Sequence, residues 1–386
     1  MGVFCMSKTV IKVLAVADPA VTVYVDNRLN ILAQFDEEVQ FDVVSWVDYY
    51  STMMEVFAGR AYYDIIMVAG HLWLRDFVDK GYLTPIELEE EDILPTILKE
   101  MKYDNKTYLS PSFCDGHMIV YRKNIVQKKY GKLFDTIITP MEYIKAATSI
   151  GSNRDMTAIA MKAHPSEIFT DALVFLRMYG QDVYDHNSLN VTCNNLQIIK
   201  GLVNYCELRK YAQADTDNYT NEQIALKIMQ KKTAMAITWS GQLGVIYNDS
   251  CIEKENLGFG TLNTAWNVTW SFAISSNSRN KEKAEELLRF LRSPQIDKIA
   301  GSYSGAPVRR QSYLDGMEQY PWYSCQLCMI ENARPLPNIK FAGNKNSVLY
   351  EEISNAFKGI KSPEKALADA EKKINQIDVS NYNSQC

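Results

Sequence analysis

Long apolar runs are missing from this chain of 386 residues. Nowhere does it reach the ~18 consecutive apolar residues that a membrane-spanning helix requires. Positive charge is also scarce: 41 Lys and Arg stand against 46 Asp and Glu, a net charge of −5. That balance argues against nucleic acid and anionic membranes as partners. Histidine is rare, and the four present (71, 117, 164 and 186) have no zincin spacing. No Gly-rich phosphate loop occurs. Gly301–Gly305 (GSYSG) has Tyr303 where a nucleophile elbow needs serine. These absences remove the common sequence signs of an enzyme, and no catalytic residue, cofactor or metal is expected. The paired carboxylates of a glycoside hydrolase are recognised only by their separation in space, so that reading stays open here.

The eight cysteines (5, 114, 193, 206, 251, 325, 328 and 386) are scattered. Cys325-x-x-Cys328 has neither the second pair nor the histidines that a zinc site needs. Its context, PWYSCQLCMIENA, reads as the middle of a helix, so two ordinary thiols are expected. So many cysteines without evident pairing fit poorly with an oxidising compartment. The first residues, MGVFCMSKT, lack the apolar core of a signal peptide. The expectation is either a cytoplasmic protein or one whose export signal is not in this sequence. No repeat, low-complexity stretch or Pro/Gly linker is found.

What is present is an ordinary globular composition, 47% hydrophobic and 23% charged, long enough for two sizeable lobes. The chain carries 23 Tyr and 6 Trp, a bias toward amphipathic binding surfaces. Residues 11–17 read as a buried strand stopping at Asp18-Pro19, with a helical stretch to about Glu38. Residues 41–46 read as a second strand, followed by a helix over Tyr49–Gly59. Residues 63–70 read as a third strand, followed by a helix over Leu72–Lys80. This alternation predicts a mostly parallel sheet with helices on its faces. In such sheets ligands gather beyond the strand C-termini, where Asp18, Trp46, Asp48, His71 and Trp73 fall. Further along, helices are expected near 122–130, 140–150, 166–179, 194–210 and 220–231, with strands at 156–161 and 233–238. Trp239 lies just past the last of these.

Trp266–Pro294 (WNVTWSFAISSNSRNKEKAEELLRFLRSP) reads as strand, turn and helix, a return crossing between lobes. Val268, Trp270, Phe272 and Ile274 alternate with smaller residues. Asn280 can cap the helix, Leu287, Leu288 and Leu291 continue an apolar stripe begun by Ala284, and Ser293-Pro294 ends it. Near the C-terminus one stripe runs from Leu349 to Ile360, and Ser362-Pro363-Glu364 opens a last helix.

Several of these stretches together resemble the extracellular solute-binding proteins of family 1, the maltose-binding-protein type. DIIMVAGHLWLRDFVDKGYLTPI, SPSFCDGHMIVYRKNIV, TAMAITWSG, the 266–294 unit, GAPVRR, ARPLP and KSPEKALADAEKKINQI fall in that family's order, from about Ile11 to Ile377. The resemblance implies an α/β, two-lobed periplasmic-binding-protein-like fold of type II. Each lobe would be a mostly parallel sheet with helices on both faces, and a hinge would cross at Phe113–Gly116 and Thr264–Asn267. The lobes would be built from 1–112 and 266–302, and from 113–265 and 303–386. It also implies a monomeric component of an ABC importer that captures a mono- or oligosaccharide by hinge closure and hands it to permease subunits. A cytoplasmic sugar sensor on the same fold is the alternative. By the same resemblance the protein is extracellular, tethered as a lipoprotein; Cys5 is the candidate anchor, although Phe4 stands where a small residue is usual. Another departure is at Trp239, where the family often has Gly, with Trp one or two residues later.

Such a solute needs aromatic faces for its C–H patches and carboxylates for its hydroxyls. Trp46, Trp73, Trp239, Trp266 and Trp270, with Asp18, Asp48, Asp115 and His71, are the candidate set. Asp18 and Asp48 could equally be helix caps, and Trp270 a core residue; Trp322 reads as structural. Hinge closure predicts a smaller radius of gyration with saturating solute in small-angle scattering, and an unchanged profile would refute it.

Overall fold

The computed structural model describes residues 9–89 and 91–383, with side chains described to residue 379. The chain divides into two compact units, one of residues 1–114 and 269–315, the other of residues 115–268 and 316–386. The return segment therefore starts at Thr269 and runs to Asp315, so residues 303–315, expected with the C-terminal helices, belong to the first unit.

In the first unit, β1 (Val10–Val16), α1 (Pro19–Val25), β2 (Glu38–Val44), α2 (Trp46–Phe57), β3 (Ile65–Ala69) and α3 (Gly70–Asp79) alternate. β1 lies between β2 and β3 and pairs with both in parallel. All five residues of β3 are buried, the continuous apolar run of a strand covered on both faces. The strand Asn267–Ser275 runs antiparallel against β3, with Trp270 opposite Ala69. Thus this sheet is parallel over three strands and is then closed by an antiparallel one. In the second unit, the part of the strand Ser110–Arg122 from His117 onward runs antiparallel to both Thr233–Trp239 and Leu257–Leu262, each of which has a parallel neighbour on its other side. Both sheets are mixed because the strands that carry the chain between units run against their neighbours.

Local chemistry explains most boundaries. Asp18 caps α1, its Oδ1 accepting from the Ala20 amide at 2.8 Å, and Pro19 fills the first helical position. That helix stops at Val25 rather than near Glu38: Asp26 Oδ1 accepts from the Arg28 amide at 2.9 Å, a side-chain-stabilised turn that competes with helix. α2 starts three residues earlier than expected because Ser45, not Asp48, is its cap. Asn280 does occupy a cap position, but its side chain turns to Asp64. Pro294 ends one helix and opens the next, Pro294–Ser304, which periodicity alone did not reveal. Asp297 in that helix is buried and receives the Val308 and Arg309 amides, which latches the loop 305–309. Ser362 caps the final helix through the Lys365 amide.

Cys325 and Cys328 lie within a helix, Tyr323–Asn332, as their context predicted. Cys193, Cys206, Cys251, Cys325 and Cys328 are free thiols. Cys5 and Cys386 fall outside the described residues. Trp322 is buried among Tyr247, Phe259, Tyr320 and Tyr323, a structural position.

Candidate functional site

The first unit brings three of the expected indoles together. Trp46 opens α2, Trp73 sits in the first turn of α3, and Trp270 lies on the strand beside β3. Trp46 stacks on Trp73 with centroids 5.8 Å apart and planes 28° apart. Trp270 meets both edge-on, at 5.8 and 6.2 Å. Trp73 is 7% exposed and Trp46 48%. One indole face is thus presented to solvent and backed by two rings that cannot easily move, so little rotamer freedom remains to be lost on stacking.

The polar residues expected beside them have local tasks. Asp18 is the α1 cap described above. Asp48 is exposed in the first turn of α2, and its Oδ2 accepts from the Ser45 hydroxyl at 2.7 Å. His71 is the second residue of α3; burial pushes it down to about 3, so its ring is neutral at physiological pH.

The second unit assembles a different chemistry around Trp239. His117 stacks on this indole at 4.7 Å with planes 19° apart, and Trp266 meets it at 5.3 Å and 69°. The Lys162 ammonium stands 4.6 Å from the Trp239 centroid, within cation–π range. Trp239 is 8% exposed and Trp266 is also buried. Trp239 is therefore not the solvent-facing platform that its place at a strand end suggested. Its indole also hydrogen-bonds Glu167.

Five ionisable groups cluster near it: Lys162, Glu167, Asp171, Asp115 and His117. Lys162 is buried, which lowers its proton affinity, while Asp171, Glu167 and Asp115 act to raise it. Asp115 is pushed up to about 6 by burial, against the opposing pull of the Gly241 amide, the Ser240 hydroxyl and Lys162. Asp171 is likewise pushed up to about 6 by burial, opposed by Lys162 and by the Tyr205 hydroxyl at 3.0 Å. His117 is held well below its ordinary value by burial, with Lys162 and Arg177 adding to the effect. Gly241 is required here: a Cβ on it would come within 2.8 Å of Asp115 Oδ1, the atom its amide binds. Lys162, Glu167, Asp171 and His117 were not singled out from the sequence. Lys162 follows the strand Thr157–Ala160 by two residues, so the strand-end rule contained the signal; nothing local marks the others.

Comparison with known proteins adds to this geometry. The family model described as bacterial extracellular solute-binding protein matches residues 29–298. The chain belongs to that family. Among curated relatives of this solute-binding protein, one from Sinorhizobium fredii, assigned as an amino-acid ABC transporter periplasmic-binding protein, is 26% identical over 148 residues. The match spans 37% of this chain and 34% of that one. Among solved structures, maltose-bound MalE3 of T. maritima superposes with a TM-score of 0.85 at 18% identity, covering 95% of this chain and 99% of the other. A Thermotoga lettingae ABC-transporter solute-binding protein bound with α-D-tagatose gives 0.84 at 17% identity, covering 96% and 100%. At these identities the superpositions establish the fold.

Two predictions follow from the ring and the acids around it. Trp239→Ala should cost about 3–5 kcal/mol of folding stability in a urea melt without solute, the scale for emptying a buried aromatic site. A variant that melts like the wild type would put the ring back on an open surface. The second concerns pH. Asp115 and Asp171 have folded values above the ordinary carboxylate value of 3.8. Folding thus disfavours their ionised forms, and their contribution to stability declines as pH rises from about 4 to about 6 and is flat above. Asp115→Asn should lose less stability than wild type between pH 4.5 and 7, by roughly 2 kcal/mol at about 1.4 kcal/mol per unit. Parallel stability profiles for the two proteins would refute the shift.

Proposed function

We propose that this solute-binding protein is the capture component of an ABC importer and that its solute is a carbohydrate seated on the first unit. The observation that carries this reading is the half-exposed face of Trp46, held by Trp73 and Trp270. A pyranose offers a C–H face that packs on such a ring, and hydroxyls that donate to carboxylates. Asp48 stands on the same helix turn with lone pairs beyond its bond to Ser45. The maltose bound by the T. maritima protein and the tagatose bound by the T. lettingae protein support the choice of class. The family is extracellular. We extend this to a monomeric, lipid-anchored receptor, with Cys5 as the candidate anchor, that docks on permease subunits and turns over nothing itself.

Titration calorimetry with a panel of mono- and oligosaccharides tests the reading. Saturable binding without product formation is expected, and Trp46→Ala should weaken it by about 2 kcal/mol, the scale of an aromatic anchor, with an unchanged melt of the free protein. Affinity for amino acids but for no sugar would overturn it, as would a Trp46→Ala variant that binds sugar normally.

A further inference from the structure

The net charge of −5 is not spread evenly along the chain. From Lys123 to Lys145, five lysines stand against Asp135 and Glu142 alone. Two helices of the second unit carry this stretch, Lys123–Tyr130 and Pro140–Ile150. Each turns its apolar residues inward: Val126 on the first is buried, as are Tyr143, Ala146, Ala147 and Ile150 on the second. Lys128 and Lys129 fill the last turn of the first helix and are exposed. Gly131, at φ 94°, ends that helix in the left-handed region, and Lys132 and Leu133 follow it on the surface. Lys132 reaches both local acids, Asp135 at 3.8 Å and Glu142 at 3.7 Å, which brings the end of the first helix next to the start of the second. One lysine thus answers both carboxylates. Among the described residues, Lys128, Lys129 and Lys145 make no ion pair. Between these ammoniums lie two exposed apolar side chains, Leu133 at 42% and Met141 at 36%, with Lys145 one helical turn beyond Met141.

An exposed leucine or methionine by itself is ordinary. Ringed by uncompensated ammoniums it gives the chemistry of an interfacial surface, where apolar groups enter the boundary of a bilayer and lysine stems lie along it with their charges outward. We propose that this face of the second unit rests on a bilayer rich in anionic phospholipid, with Lys128, Lys129 and Lys145 over headgroup phosphates and Leu133 and Met141 between the headgroups. Charges more than about 10 Å away are largely screened at 0.1 M salt, so a local excess of lysine acts against an overall negative charge. Each lysine close to such a surface is worth roughly 5-fold in affinity. In the lipid-anchored receptor proposed above, the contact fixes which way the second unit faces. It does not depend on which solute is captured.

Sedimentation of the full chain, without any attached lipid, with vesicles tests this. Wild type should pellet with vesicles of equal parts phosphatidylglycerol and phosphatidylcholine, stay in solution with phosphatidylcholine alone, and be released as salt rises. Lys128→Gln/Lys129→Gln should bind roughly 25-fold more weakly, two steps of about 5-fold. Lys200→Gln/Lys372→Gln removes the same charge from exposed positions on other helices and should bind as wild type. Leu133→Ser should weaken binding several-fold without changing its salt dependence. Equal losses in the two double variants mark an effect of net charge and overturn the proposal, as does binding that Lys128→Gln/Lys129→Gln or Leu133→Ser retains in full. Wild type that pellets with neither vesicle overturns it and leaves these lysines to an acidic protein partner. The salt dependence of wild type keeps the test decisive should a variant fold poorly. Solute titrations of the same variants should be unchanged, so that failure here is distinct from failure of the carbohydrate reading.

Discussion

A single hydroxyl fixes the aromatic surface of the first unit. Tyr49 Oη lies 2.6 Å from the Met67 carbonyl and 3.2 Å from the Leu14 carbonyl, and accepts from the Met67 amide at 2.9 Å. The paired register of β1 and β3 ends at Leu14 and Ile66. Just beyond, where the strands part, the tyrosine of α2 reaches in and meets the main-chain groups that would otherwise be buried without partners. Such a group left unsatisfied costs on the order of 1–3 kcal/mol. The hydroxyl therefore sets the height and rotation of α2 over the strand ends. Trp46 and Tyr50 flank Tyr49 on that helix, so their aim follows from a hydrogen bond made inside the sheet. A helix held only by apolar contacts could rotate by a few degrees at little cost; one pinned at this atom cannot.

How far the sequence reaches into this arrangement depends on whether the deciding contact is local. The strands at 11–17 and 63–70 are legible because a covered parallel strand must be continuously apolar, and the end of the second marks Trp73 without any knowledge of packing. The cap at Ser362-Pro363 is legible for the same reason, since its partners are three residues away. The helix expected to run on to Glu38 fails at Asp26 because a two-residue side-chain turn outcompetes a weak periodic signal. Trp239 fails for the opposite reason. Its place past a strand end is right, but the direction of the ring is decided by His117 and Lys162, more than 70 residues away in sequence. The third crossing between units, at Asp315, lies in a helix whose residues carry no sign of a boundary.

The two units solve the same problem, holding aromatic rings still, by unlike means. In the first, indole is braced by indole, and the support costs nothing in desolvation. In the second, Trp239 is braced by a neutral imidazole and a buried ammonium, and that ammonium needs Asp171, Glu167 and Asp115 about it. A buried ion cluster is seldom a net gain in stability compared with apolar residues of equal volume. What it adds is geometric definition, because each carboxylate is tied to a named donor: Asp115 to Gly241 and Ser240, Asp171 to Tyr205, Glu167 to the indole itself. An apolar brace lets a ring settle into any of several packings, whereas these bonds permit one. On the first unit, freedom is removed by the size of the rings; on the second it is removed by charge.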